Sequence, residues 1–451
     1  MRVLYITPYV PSRIRVRPYN LIKNLARHHE VTLVSLMQSE HDRRALDEMS
    51  DICCNVKPVR MSKLQSIASC GRRLFTSMPL QAAYTYLPNL THAVDDLIIR
   101  QPFDVVHVEH VRGAHFASHI GSLPKVYDSV DCITLLLKQF LKTKKNPISW
   151  FVALEEWAKM RVYEAMISER FEKVVITSQG DRQALEGLLW ERIRKRLKIQ
   201  EMPARSVDTQ NELEEWRATR ELIELSQDQR LEALMPQGGH ISVLPNGVDH
   251  QYFHSMDMPE DPETIIFSGK MSYYANVVAV KHFYENIYPF VKTARPGVKF
   301  LIVGADPPSS IQKLAEDPSV TVTGYVDDIR PYIARAAVAV CPITVGVGIQ
   351  NKVLEAMSMG KSIVATSRAC SAIPARDGEH FLTADQPEEF ASKIIELLTS
   401  PEKRHRIGSN ASAYVRENHD WGRIAERLVD IYQEASDVFG SRKINSANMR
   451  I

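Results

Sequence analysis

One run of the chain constrains the fold more than any other. Residues 336–366 read AAVAVCPITVGVGIQNKVLEAMSMGKSIVAT. An apolar stretch of strand length is stopped by Pro342, and Gly346 and Gly348 then let the backbone approach a ligand without Cβ clashes. A helix is predicted to open near Gln350 and to close at Gly360, before a second apolar run. The unpaired N–H groups and positive dipole end at such a helix start suit an anion such as a diphosphate. Glu355, one to two turns in, is placed to accept two hydrogen bonds from a vicinal diol such as a ribose. On the glycines alone, an ordinary strand, loop and helix of an α/β protein is the better reading.

The same punctuation recurs. ISVLPNGVDHQYF at 241–253 bends sharply at Pro245 and Asn246-Gly247, and IIFSGKM at 265–271, FLIVGAD at 300–306 and VTVTGYVDDI at 320–329 are β-rich runs that end in glycine. In the first half, RVLYIT at 2–7, the helical PYNLIKNLARHH and VTLVSL at 31–36 form a βαβ unit. FDVVHVEH at 103–110, KVYDSVD at 125–131 and KVVITSQGDRQAL at 173–185 add strands with polar ends. Ligands of open α/β sheets bind beyond the carboxyl ends of the strands, so these ends are expected to line a site.

A length of 451 residues predicts two to three domains, each able to bury its own core. With 56 basic against 54 acidic residues, nothing argues for a dedicated nucleic-acid binder. The six cysteines show no C-x-x-C spacing, which favours buried thiols in a cytoplasmic protein. A strand begins at once and Pro8 and Pro11 follow, so no signal peptide is expected. No apolar run reaches about 18 residues, so no transmembrane helix is expected either.

LPNGVD, a GK after a strand, TGYVDDI, and GIQNKVLEAM followed by GK-IVAT resemble, in this order, the second half of family 4 glycosyltransferases. The resemblance covers about residues 241–418 and only the outline of the first half. It implies a retaining GT-B enzyme: two Rossmann-like domains facing a central cleft, a nucleotide-diphosphate sugar as donor substrate, and neither cofactor nor metal. The expected organisation is an acceptor domain at 1–187, an inserted charged helical segment at 188–237 and a nucleotide-sugar domain at 238–417. A helix crossing back to the first domain follows at 418–436, then a disordered polar tail at 437–451. The insertion departs from the family pattern; a solvated helical hairpin is favoured over a partner or membrane contact.

Donor contacts are implied for Gly269, Lys270, Tyr325, Val326, Gly346, Gly348, Ile349, Gln350, Asn351, Lys352 and Glu355. A departing diphosphate without a metal needs fixed cations and amides, a role for Lys270 and Lys352. Main-chain groups of Tyr325 and Val326 would hold the base, and Asp327 and Asp328 read as helix caps. A second lysine common after the GK is missing from SYYANVV. The first glutamate of the family's pair falls on Val347, which leaves the donor sugar open.

On the acceptor side, Asp128 or Asp131 stands where relatives have a histidine, with turn chemistry and helix capping as the alternative role for both. Asp128, Asp131, Lys270 and Glu355 are thus the catalytic candidates, and His107 and His110 end the preceding strand. The first loop carries Arg13, Arg15 and Arg17 in place of the family's glycine pair, either to meet an acceptor phosphate or to sit in solvent. In LLLKQFLKTKKNPISWF at 135–151, Leu136, Phe140 and Trp150 with Lys138, Lys142, Lys144 and Lys145 suit either a peripheral contact with the inner face of the plasma membrane or a helix covering the site. The function implied is sugar transfer to a glycan or lipid-linked acceptor in bacterial cell-surface polysaccharide synthesis. The alternatives are a silent nucleotide-sugar-binding subunit and a nucleotide-sugar 2-epimerase.

Overall fold

The computed structural model describes residues 1–143, 146–196 and 239–448. The chain divides into two compact units, Met1–Leu244 with Ala425–Ile451, and Pro245–Ile424. Each is built on one parallel sheet.

The first sheet contains β1 (Arg2–Thr7), β2 (Glu30–Met37), β3 (Asn55–Arg60), β4 (Val105–Glu109), β5 (Lys125–Val130), β6 (Lys173–Ile176) and β7 (Ile241–Val243), in the order β3-β2-β1-β4-β5-β6-β7. Its central strands are buried along nearly their whole length, as expected where helices cover both faces. Leu4, Ile6, Val106, Phe116, Tyr127 and Phe171 sit in the core. The second sheet contains β8 (Asp261–Ser268), β9 (Lys299–Val303), β10 (Val320–Val322), β11 (Ala336–Cys341), β12 (Ser362–Ala365) and β13 (Leu382–Thr383), in the order β10-β9-β8-β11-β12-β13. Its core gathers Phe283, Tyr288, Phe300 and Phe390 in ring contact. In both sheets the strand order reverses once, between β1 and β4 and between β8 and β11. Such switch points open a crevice at the carboxyl ends of the strands.

Three expectations about boundaries are corrected. The first domain does not end at residue 187 and the second does not begin at 238. β7 pairs with β6, Val174 opposite Ile241, and so belongs to the first sheet; the division falls at Leu244/Pro245. Periodicity reveals a strand but not the sheet it joins. The segment expected to start at 188 instead opens inside a helix, Gln179–Arg196, whose Leu185 and Leu189 are both buried; residues 197–237 of it lie outside the described residues. The polar tail expected to be disordered from 437 continues the last helix, Trp421–Asn448. Arg442 on that helix pairs with the buried Glu172 at 3.0 Å, an anchor invisible in a polar sequence.

Candidate active site

In the second unit the glycine-terminated strands lie side by side. β8, β9 and β10 are neighbours, so Gly269, Gly304 and Gly324 form a row across their carboxyl ends, linked by Gly269 N–H to Val303 O and Gly304 N–H to Gly324 O. All three have positive φ, at 144°, 149° and 70°. A Cβ on Gly304 would fall 1.9 Å from the Gly269 oxygen, so only glycine permits the backbones to meet here.

Lys270 follows at the surface, 3.4 Å from Asp306 with both side chains more than half exposed, a pair of little energetic weight. Its carbonyl accepts a hydrogen bond from Asn276 Nδ2 at 2.8 Å. Asn276 Oδ1 is buried and takes no partner among the described residues. Asn276 thus fixes the turn that carries Lys270, in the segment where a second lysine is missing.

Across the switch point, the helix Asn351–Ser358 has Gln350 as its N-cap, and Gly360 lies just beyond it at φ 71°, the left-handed position that ends helices. Asn351 Oδ1 accepts from Asn246 Nδ2 at 3.0 Å, which ties the LPNG turn to the helix start. That turn is closed from behind. His419 Nδ1 lies 2.8 Å from the Asn246 oxygen, and a Cβ on Gly247 would strike the Trp421 ring.

Lys352 Cε lies 3.1 Å from where a Gly269 Cβ would sit, and its Nζ reaches Gln350 Oε1 at 3.2 Å. Gly269 and Lys352, distant in sequence, are therefore neighbours. Glu355 is half-buried one turn on, its carboxyl without a hydrogen-bond partner among the described residues, and burial pushes that carboxyl up to about 7 against the opposing charge of Lys352. Gly348 takes φ 69° in the loop between β11 and the helix; Ile349 is buried and Val347 half-buried there. Tyr325, beside Gly324, is 69% exposed, while Val326 packs on the core. Asp328 accepts from Arg330 N at 2.9 Å at the start of the helix Arg330–Arg335, whereas Asp327 makes no cap contact among the described residues.

The first unit has a second cluster at its own switch point. Asp128, at the end of β5, is fully buried; one oxygen accepts from Arg17 Nε at 2.8 Å and the other from Val130 N–H at 3.0 Å. Burial pushes its carboxyl up while Arg17 opposes the shift. Arg17 also donates to Leu244 O at 3.0 Å. Glu109 accepts from Tyr9 at 2.6 Å and lies 3.4 Å from the Tyr5 hydroxyl; burial, then the charge of Asp128, pushes it up to about 8. His107 stacks on Tyr5 and meets the Tyr432 hydroxyl at 3.0 Å; burial keeps it neutral.

Val130 and His110 both have positive φ, 65° and 66°. For a β-branched residue that is an outlier, costing about 1–3 kcal/mol, of the kind that collects at functional sites. Asp131 follows the kink. It is half-buried, accepts from Thr177 at 3.1 Å, and is pushed up to about 7 by burial and the charge of Asp181.

The loop arginines part company. Arg17 belongs to the cluster, Arg15 donates to Val10 O and lies over the Tyr9 ring, and Arg13 pairs with Glu48 away from both. His110 Nδ1 accepts from Arg112 N–H at 3.2 Å. The cluster therefore joins Asp128, His107, Glu109 and Arg17, and leaves Arg13 out. Sequence reasoning missed Tyr5, Tyr9 and Tyr432, for which no local signal exists. Among the described residues, no three His, Cys, Asp or Glu side chains gather as a metal site.

Residues 262–400 match the family described as Glycosyl transferases group 1. The structure resembles sucrose-phosphate synthase from Thermosynechococcus elongatus, at 14% identity and TM-score 0.62, over 96% of this chain and 99% of that one. The fold is GT-B, and the stretch that matches the group 1 family is the one built on the second sheet. HepE of Anabaena, solved with UDP-glucose, gives TM-score 0.59 at 14% identity, over 96% of this chain and 99% of that one. In sequence, the chain is 28% identical to trehalose synthase of Pyrococcus horikoshii over 159 residues, 32% of this chain and 38% of that protein. The curated relatives are matched over 22% to 48% of their own length. The matched stretch contains Gly269, Lys270, Asn276, the glycine row, the 342–350 loop and Glu355, whereas the Asp128 cluster lies outside it.

Proposed function

We propose that this chain is a retaining, metal-independent glycosyltransferase of the family 4 type that moves a sugar from a nucleotide-diphosphate donor to a glycan or lipid-linked acceptor in cell-surface polysaccharide synthesis. The observation that carries it is the meeting of Gly269, Lys352 and Glu355 at the switch point of the second sheet. A half-buried carboxyl without a hydrogen-bond partner among the described residues suits the two hydroxyls of a ribose. Lys270, Lys352 and the N–H groups of the helix start then stabilise the departing diphosphate, which needs fixed positive charge where its own charge develops. Gly346, Gly348 and Ile349 offer main-chain N–H groups to the sugar where Val347 cannot hydrogen-bond, and Tyr325 and Val326 offer main-chain groups to the base.

On the acceptor side, Asp131 is preferred to Asp128 for contact with the reacting sugar, because Asp128 is enclosed and already holds Arg17. Asp128 positions the kinked strand end. The leaving diphosphate takes the acceptor proton, so no strong protein base is required. Solved HepE with UDP-glucose supports a uridine nucleotide as the first donor to test. A peripheral membrane contact through the first unit belongs to the same reading.

The test is calorimetry of the full chain with UDP, GDP, ADP and TDP, followed by slow hydrolysis of the matching nucleotide sugars. One nucleotide should bind and its sugar should be released. Binding of a nucleotide with no release from any of its sugars would favour a silent subunit, consistent with Val347. No binding at all would overturn the proposal.

A further inference from the structure

The helix Lys63–Arg73 is inside out. Its buried positions are serines, Ser66 and Ser69, and the Ser66 hydroxyl takes no partner among the described residues. Leu64 and Ile67 point outward, 79% and 65% exposed, and Leu74 and Phe75 extend the same face, Phe75 at 96%. The spacing 64, 67, 74, 75 follows the helical period, so these side chains share one side. Helices of water-facing surfaces are arranged the other way round.

The face does not stand alone. Lys159 Nζ donates to Leu74 O at 2.6 Å and Glu156 accepts from Leu80 N and Gln81 N, which holds the helix Pro147–Ser168 against the 74–81 segment. That helix begins with Ile148, Trp150, Phe151 and Val152, all substantially exposed. The expected lipid-facing residue Phe140 instead packs on the core.

Charge around the face is one-sided. Residues 61–94 contain Lys63, Arg72 and Arg73 and no acidic residue, and residues 132–154 contain four lysines and no acidic residue, in a chain whose charges otherwise nearly balance. Lys144 and Lys145 of that set lie outside the described residues. Glu155, paired with Lys159, is the nearest exception. An apolar face bordered by cations matches the two layers of an anionic bilayer surface, acyl chains and phosphate headgroups.

We propose that Leu64, Ile67, Leu74 and Phe75, with the start of the helix Pro147–Ser168, form a docking surface for an anionic lipid membrane. This deepens the peripheral-contact reading, and nucleotide binding is measured alongside so that the two fail separately. The full chain is sedimented with vesicles of phosphatidylcholine alone or mixed equally with phosphatidylglycerol.

Binding is expected only to the mixed vesicles. It should fall at least roughly tenfold in Leu74→Glu/Phe75→Glu, and several-fold in Lys63→Glu/Arg72→Glu or in roughly 1 M salt, where screening shortens to about 3 Å. Both variants change exposed side chains and should keep parental circular dichroism and nucleotide affinity. Equal binding to both vesicle types, or undiminished binding by the Leu74/Phe75 variant, would overturn the surface. So would sedimentation as a lipid-free dimer that Phe75→Glu dissociates, which would assign the face to a second copy of the chain.

Discussion

The two switch-point clusters differ in what their charged groups hold. In the first unit, Asp128 binds Arg17, Glu109 binds two tyrosines and His107 binds Tyr432, all within the protein. In the second unit, the Glu355 carboxyl makes no hydrogen bond to the described residues, and among them the Lys270 side chain keeps only a weak surface pair. Buried groups that satisfy one another hold a backbone in place. Groups left to one side of such pairing are the ones a substrate can engage, at a cost to the fold that the burial of Glu355 makes visible.

The sharpest way to break this contrast is Asp128→Asn. Removing one charge strands Arg17 in the interior, an effect of about 3–5 kcal/mol, so the midpoint of chemical denaturation should drop while nucleotide affinity holds in the protein that remains folded. Arg17→Met in the same chain should recover part of the loss. A small change in the single variant would mean that the pair does not anchor the first unit.

Glu355→Ala should show the reverse pattern. Calorimetry should find nucleotide-diphosphate binding weaker by about 1–3 kcal/mol, the scale of hydrogen bonds to a charged group, with denaturation unchanged or shifted toward higher stability. Equal affinity in variant and parent would remove Glu355 from the donor site.

The raised carboxyl gives a smaller, pH-dependent signature. Between the ordinary 4.5 and about 7, the folded state holds the Glu355 proton that the unfolded chain has released, so this group's contribution to stability declines as pH rises through that window. Glu355→Gln should flatten that component between pH 5 and pH 8. Nucleotide affinity should move the opposite way in the parent, rising by roughly tenfold, equivalent to about 1.4 kcal/mol, as the carboxylate forms, and stay level in the Gln variant.

The smallest effect expected is none: turnover should persist in excess EDTA, because Lys270, Lys352 and helix amides are proposed to carry the diphosphate charge. Loss on chelation, restored by Mg²⁺ or Mn²⁺, would replace that account with a metal-assisted one.

Legibility in the sequence followed the same divide. The glycine turns of the second sheet were readable because close main-chain approach demands glycine: Gly269, Gly304, Gly324 and Gly348 all take positive φ, and Gly269, Gly324 and Gly348 each precede a residue proposed to contact the donor. The cluster of the first unit was readable only as polar strand ends. Its content depends on pairs more than a hundred residues apart, such as Arg17 with Asp128 and His107 with Tyr432, which leave no local pattern. The helix Lys63–Arg73 shows the same limit: nothing local in its sequence says that Ser66 and Ser69 face inward while Leu64 and Ile67 face outward.

The sequence by itself determined the alternation of strands and helices, the glycine-ended turns and the helix Asn351–Ser358 with its stop at Gly360, because these follow from backbone sterics and short-range hydrogen bonding. Only the tertiary structure decided that β7 joins the first sheet, that β8 and β11 flank the switch point so that Lys352 meets Gly269, and that Asp128 is enclosed while Asp131 is less so. Strand order and burial arise from competition among many apolar faces for one core. No window of the chain contains that competition.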